Sequence, residues 1–165
     1  VYFNLQTRDL IDYILISGFR WKPFNIGRVR SSGFEIAADF QLDDNFSLTA
    51  NYTRTNAIDT SGDPTRHGNS IAGIPSSDFF AELRWKKSEW ECRLNYRRRG
   101  ASPLNPSGTR YLPGYQSTGI GLGYTFSENS SIFLELNNIF DENLSDIRGF
   151  PLPGRSIYLT YRGDL

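Results

Sequence analysis

The feature that most constrains this chain is an apolar–polar alternation with a period of two, repeated along most of its length. Phe34, Ile36, Ala38, Phe40 and Leu42 alternate with Glu35, Ala37, Asp39 and Gln41. The same pattern returns over 46–53, 79–86, 90–97, 119–126, 132–137 and 156–162. In 119–126 the polar positions are Gly119, Gly121, Gly123 and Thr125. Side chains alternate across a strand with this period, so each segment reads as a strand with one apolar and one polar face. An eighth strand opens as Val1-Phe3-Leu5 and loses its alternation around Asp9-Leu10-Ile11. A helical bundle is excluded: Met is absent, 15 Gly and 8 Pro are scattered through the chain, and aromatics make up 15%.

The connections between these strands are unequal. Asp43-Asp44-Asn45, Lys87-Ser88-Glu89 and 127–131 are short enough for hairpin turns. The stretches 17–25, 59–69, 101–113 and 145–153 are longer, and the last is rich in Gly and Pro. Short and long connections alternate, which places all short turns at one end of the sheet and all long loops at the other.

Alternation does not say which face is inside. A soluble barrel or sandwich buries the apolar face, whereas an outer-membrane barrel turns it to lipid and lines its lumen with the polar one. The turn asymmetry favours the membrane. So do aromatics at the strand ends: Phe40, Phe46, Trp85, Trp90 and Phe126 near the turns, Tyr52, Tyr96 and Phe140 toward the loops. Eight rises of ~3.3 Å at a ~40° tilt span about 20 Å, close to the lipid-facing band of such barrels. Leu48, Leu83, Leu94, Leu122 and Leu134 are then expected on lipid, with Glu35, Glu82, Arg93 and Glu135 in the lumen.

Eighteen basic residues balance 18 acidic ones, so the electrostatic case for nucleic acid is missing. Cys92 is the single cysteine, which excludes an internal disulfide and thiolate metal clusters. His67 is the single histidine, in a Gly/Asp/Pro-rich loop. No catalytic, metal or cofactor site is expected, and the chain is not read as an enzyme. The opening Val1-Tyr2-Phe3-Asn4 resembles neither a natural start nor a signal peptide, so a piece of a longer protein is expected.

On the polar face, pairing Trp85 with Trp90 across the Lys87–Glu89 turn sets Lys86 opposite Glu89, Arg84 opposite Glu91, Glu82 opposite Arg93 and Asp78 opposite Arg97. All four are opposite-charge pairs, and such pairs set register. The expected ladder is a self-neutralising lumen wall. Arg97-Arg98-Arg99 then runs toward the long loops. Parity puts Arg97 and Arg99 on the polar face and Arg98 on the apolar face; the run reads either as an anion site at the mouth, or a lipopolysaccharide phosphate contact for the Arg98 guanidinium, or as an ordinary solvated strand end.

Five segments, in order, resemble the C-terminal barrel of TonB-dependent outer-membrane receptors. They are Asn25-Ile26-Gly27-Arg28-Val29-Arg30-Ser31-Ser32-Gly33-Phe34-Glu35, Ala50-Asn51-Tyr52-Thr53-Arg54-Thr55-Asn56-Ala57, Leu112-Pro113-Gly114-Tyr115 with Gly123-Tyr124-Thr125-Phe126, Leu136-Asn137-Asn138-Ile139-Phe140-Asp141-Glu142-Asn143, and Gly149-Phe150-Pro151-Leu152-Pro153-Gly154-Arg155-Ser156-Ile157-Tyr158. The ending Tyr161-Arg162-Gly163-Asp164-Leu165 departs from the family's terminal aromatic.

The resemblance implies an all-β, antiparallel up-and-down transmembrane barrel. Residues 1–165 would supply about eight strands of a 22-stranded barrel that is plugged by an N-terminal domain outside this chain. It implies import of a scarce metal chelate, most often a ferric siderophore, energised through TonB, in the outer membrane of a Gram-negative bacterium. Expected partners are the remainder of the receptor, TonB, the chelate, and outer-membrane lipid and lipopolysaccharide. Ligand contacts are expected at an extracellular mouth bearing Arg66, His67, Arg97, Arg99 and Arg110. The lumen ladder would comprise Asp78, Glu82, Arg84, Glu91 and Arg93. The alternative is a stand-alone eight-stranded outer-membrane barrel with an adhesive or structural role.

Overall fold

In the computed structural model, which describes residues 1–17 and 20–163, the chain is all-β. Eight strands form one antiparallel sheet: β1 (Tyr2–Ser17), β2 (Arg20–Gln41), β3 (Phe46–Asp59), β4 (Ser77–Lys87), β5 (Trp90–Arg99), β8 (Tyr115–Ser127), β9 (Ser130–Asn137) and β12 (Ser156–Arg162). Their order in the sheet is their order in the chain. Two small ribbons sit in the long connections, β6 (Ser102–Pro103) with β7 (Tyr111–Leu112), and β10 (Ser145–Ile147) with β11 (Phe150–Pro151). The sheet is open, with β1 and β12 as its edges. A closed eight-stranded barrel is therefore not what these strands form. The expected departure at the chain end falls partly on residues 164–165, outside the described residues.

Two differences from the sequence reading concern the first hairpin. The stretch 17–25 is not a long loop, because β2 already pairs with β1 from Arg20 opposite Ser17; residues 18–19 lie outside the described residues. The blurred alternation has a structural cause. Asp9 takes a φ of 54°, and the register shifts between Arg8 and Leu10 and again between Leu10 and Ile11. Opposite this bulge Gly27 has a φ of 90°, a left-handed conformation that glycine adopts without strain.

Across the sheet the apolar residues fall into continuous rows. Phe40, Leu48, Leu83, Leu94, Ile120, Leu136 and Ile157 are successive cross-strand partners, and Trp85, Cys92, Leu122, Leu134 and Leu159 form the next row toward the turns. This face is the open one: Leu94 is 47% exposed and Ile120 46%, while Gly119, Gly121 and Gly123 on the opposite face are buried. Over β5, β8 and β9 the usual order is inverted, with the apolar face open and the polar face covered, whereas Glu35, Ala37 and Asp39 on the polar side of β2 are exposed; an apolar face left open is what lipid solvation allows. Among the described residues the buried apolar cluster is small. Val29, Ala57 and Ile71 meet where the loop after β3 folds onto the polar-face ends of β2 and β3, with Leu10 and Ile74 against them.

Candidate functional site

The enclosed polar face carries the residues of interest, and its register differs from the expected one by two residues. The turn between β4 and β5 contains only Ser88 and Glu89, with Ser88 at a φ of 52°, the positive value that the first position of a type II′ turn takes. Lys87 therefore faces Trp90, Trp85 faces Cys92, Lys86 faces Glu91, Arg84 faces Arg93, Glu82 faces Asn95 and Asp78 faces Arg99. The expected Glu82–Arg93, Lys86–Glu89, Arg84–Glu91 and Asp78–Arg97 direct oppositions are thus not formed. A shift by two preserves parity, so every ladder residue keeps its predicted face.

Two of the expected ion pairs form nevertheless, on the diagonal. Arg84 Nη2 donates to Glu91 Oε2 and Arg97 Nη2 donates to Asp78 Oδ2, at 2.5 Å and 2.9 Å. Long guanidinium side chains reach the diagonal neighbour, and here they must: Arg84 and Arg93 are like charges set directly opposite. Glu91 resolves this conflict by accepting Arg84 on one oxygen and Arg93 Nε on the other, also at 2.5 Å. The Arg93 guanidinium also lies 4.7 Å from the centre of the Phe133 ring. That ring occupies space left by two glycines. A Cβ on Gly121 would come within 2.7 Å of it and a Cβ on Gly123 within 2.6 Å.

Glu91 is thus the centre of the lower wall. Replacing it with Ala is expected to destabilise the folded receptor by about 1–2 kcal/mol, because two half-exposed guanidiniums lose their shared acceptor. Glu91→Gln, which keeps an acceptor oxygen, is expected to cost less. Guanidinium-induced unfolding of the full-length receptor measures both; equal midpoints for wild type and Glu91→Ala would contradict the bridging role.

Toward the loops a second network forms. Asp78 lies 2.9 Å from Arg97 and 3.7 Å from Arg99, and Arg99 Nε lies 3.2 Å from Asp146 Oδ1 in β10. The Tyr115 hydroxyl donates to the same Asp146 oxygen at 2.9 Å. This ties the β9–β12 connection to the wall of β4, β5 and β8. The other long loops pack on each other: Gly73 N–H donates to the Pro103 carbonyl, Ser76 N–H to that of Ala101, and Asn69 Nδ2 to that of Pro106.

The residues predicted at the mouth are divided by this arrangement. Arg97 and Arg99 come together around Asp78. Arg66 and His67 sit in a turn of the β3–β4 loop. There Asp63 accepts hydrogen bonds from the Thr65 hydroxyl, the Thr65 N–H and Arg66 Nε, in a mostly exposed setting. These bonds, with that of Thr65 foremost, hold the Asp63 carboxyl down at about 2. His67 Nδ1 lies 2.8 Å from the Ser61 carbonyl oxygen, a loop-stabilising contact. Arg110 stands apart at the β6–β7 ribbon, its N–H bonded to Asn105 Oδ1. Arg66, Arg97 and Arg99 each have an acid partner, so the expected excess of positive charge at the mouth is largely neutralised. Sequence reasoning did not find Asp146, Tyr115 or Phe133; the glycine stripe at 119, 121 and 123 was the visible signal that a bulky ring must lie over β8. Among the described residues no three His, Cys, Asp or Glu side chains gather as a metal set.

An open up-and-down sheet with an exposed apolar face, an enclosed charged wall, tight turns at one end and long interlocked loops at the other is a sector of an outer-membrane-type β-barrel. The chain matches the family described as TonB dependent receptor-like, beta-barrel, over residues 1–139, and it belongs to that family of receptors, whose members are transporters and not enzymes. Similar solved structures include the copper transporter OprC (TM-score 0.77, 18% identity, 97% of this chain and 28% of that one). The siderophore receptor PiuA from Acinetobacter baumannii has a TM-score of 0.77 at 17% identity, covering 98% of this chain and 25% of that one. The ferripyoverdine receptor of the outer membrane of Pseudomonas aeruginosa, bound to ferripyoverdine, has a TM-score of 0.71 at 17% identity, covering 99% and 24%. The chain thus spans about a quarter of the length of these receptors.

Proposed function

We propose that this chain is the C-terminal barrel sector of an outer-membrane importer of a metal chelate, a ferric siderophore first among the candidates, energised through TonB. The observation that carries this reading is the family match over residues 1–139, joined to a sheet whose apolar face is the exposed one. The remainder of the receptor would supply the plug, the earlier strands that complete β1 and β12, and the contact to TonB. The long loops would form part of the mouth, with Arg66, His67, Arg97, Arg99 and Arg110 as donors to an anionic chelate. Because acids already hold three of these arginines, the donors act by exchanging partners at short range. Long-range steering by a positive field would be weak, and uptake would depend little on salt.

The test uses the full-length receptor in iron-starved Gram-negative cells. Deleting it is expected to abolish uptake of one class of labelled ferric siderophore. Converting Arg66, Arg97, Arg99 and Arg110 together to Gln should slow that uptake about tenfold, with barrel folding intact, as charge-assisted bonds are lost. Unchanged uptake of every siderophore tested after deletion would overturn the reading. Unchanged uptake in the folded quadruple variant would remove the arginines from it.

A further inference from the structure

The arginines of β3, β4 and β5 divide by face. Those on the enclosed wall, Arg84, Arg93, Arg97 and Arg99, all have carboxylate partners. On the open face the register places Arg8, Arg28, Arg30, Arg54 and Arg98 near the loop end, all exposed and none with an acid partner among the described residues. Their position relative to the apolar band is regular. On β3 the outward residues run Phe46, Leu48, Ala50, Tyr52 and then Arg54; on β5 they run Trp90, Cys92, Leu94, Tyr96 and then Arg98. In both strands an aromatic closes the apolar run and an arginine stands two residues beyond it, one step of ~6–7 Å along the strand.

Arg54 and Arg98 line one open cleft of about 610 Å³ together with Ser76, Ser77, Gln116 and Glu142, and Arg99 and Tyr115 of the wall also border it. Arg54 is the cross-strand partner of Ser77, and Arg98 that of Gln116. The Tyr96 hydroxyl fixes the Gln116 side chain by donating to its Oε1 at 3.2 Å. Two unpaired guanidiniums flanked by hydroxyl and amide donors suit an anion with several oxygen acceptors. Glu142 bounds the cleft on one side, its backbone fixed through both its N–H and its carbonyl to the Asn138 amide.

We infer that Arg54 and Arg98, with Ser76, Ser77 and Gln116, form a binding site on the outward face of the barrel for the phosphorylated headgroup of an outer-leaflet lipid. The inference rests on the membrane reading above and adds to it a ligand, a depth and the residues that hold it. The occupant is a lipid and not a free anion because of where the site lies. Its floor is continuous with the aromatic and aliphatic rows, so the acyl chains of a headgroup bound there would descend along Tyr52, Phe79 and Tyr96 onto Leu48, Leu83 and Leu94. The headgroup replaces the carboxylates that the wall arginines of β4 and β5 possess and these two lack.

The test titrates the purified full-length receptor with diphosphorylated lipid A, with the same lipid after dephosphorylation, and with inorganic phosphate, reading bound lipid by native mass spectrometry. Insertion is checked first, by quenching from brominated lipid of a fluorophore on a Leu94→Cys variant. The phosphorylated lipid is expected to bind at least about tenfold more tightly than the dephosphorylated one, the order expected for two charge-assisted contacts. Arg54→Gln with Arg98→Gln should abolish that preference, Arg54→Lys with Arg98→Lys should keep part of it, and Arg110→Gln should leave it whole. Heat-modifiable gel mobility confirms that each variant is folded. A preference that survives in the folded Gln variant, its absence from the wild type, or displacement of the lipid by inorganic phosphate would overturn the inference. A receptor that inserts yet shows no preference defeats this site alone; one that does not insert defeats the membrane reading as well.

Discussion

A full-length receptor carrying Leu94→Arg is expected to lose roughly 2–4 kcal/mol of folding stability in a bilayer, and to assemble poorly in cells. Leu94 stands in the central apolar row, between Leu83 and Ile120, and is 47% exposed. In water that exposure would make it an inexpensive site for arginine; facing hydrocarbon, it is among the costliest. Two comparisons make the result specific. Leu122→Arg, one row nearer the turns, should cost less, because the side chain can reach the interface. Asn95→Arg, the next residue along β5 but on the enclosed polar face, should cost least. Urea unfolding from lipid vesicles measures all three. Equal costs for Leu94 and Asn95 would mean that the two faces are not solvated differently, and the barrel orientation would fall with that result.

The second large effect is expected at Gly33, in the middle of the β2–β3 pairing. A Cβ built there would lie 1.9 Å from the Arg54 carbonyl oxygen and 2.7 Å from the Phe3 ring. The first of these neighbours is backbone and cannot move aside without breaking the ladder where Gly33 faces Thr55. Gly33→Ala is therefore expected to destabilise the receptor by about 1–3 kcal/mol or more, through displaced strand pairing. Ser32→Ala, the adjacent residue, should be nearly neutral. Heat-modifiable mobility after refolding, scored against temperature, separates them; equal profiles would show that β2 and β3 are not packed this closely.

The strands themselves were legible because their signal is local. The choice between apolar and polar at each position is made by the medium on each side of the sheet, and that choice repeats every two residues whatever the partner strand is. The alternation in 34–42, 90–97 and 119–126 therefore assigned both existence and face, and the five motif segments pointed to the family. Parity is robust for the same reason: the β4–β5 register was misread by two residues, and Glu82, Arg84, Glu91 and Arg93 still share the predicted face.

What the tertiary structure decided is how the partners meet. Register was set by a two-residue turn at Ser88 and Glu89, and not by maximising opposite charges across the pair. Arginine is long enough to satisfy its charge on the diagonal, so direct opposition exerts little control over the turn. The bulge at Asp9 opposite Gly27 appears in the sequence only as lost periodicity. The third group is non-local: Asp146 reaches Arg99 across 47 residues of chain, Phe133 fills the space over Gly121 and Gly123, and Arg54 shares a cleft with Arg98 from two strands away. No periodicity encodes these meetings, because each depends on the stagger of strands whose order and spacing are fixed only once the whole sheet has formed. In β2 to β5, β8, β9 and β12 the sequence by itself determined which residues share the apolar face and which the polar one, whereas in β1 the pairing puts Phe3 and Leu5, opposite Gly33 and Ser31, on the polar side; the assembled sheet determined which charges are paired and which are left open.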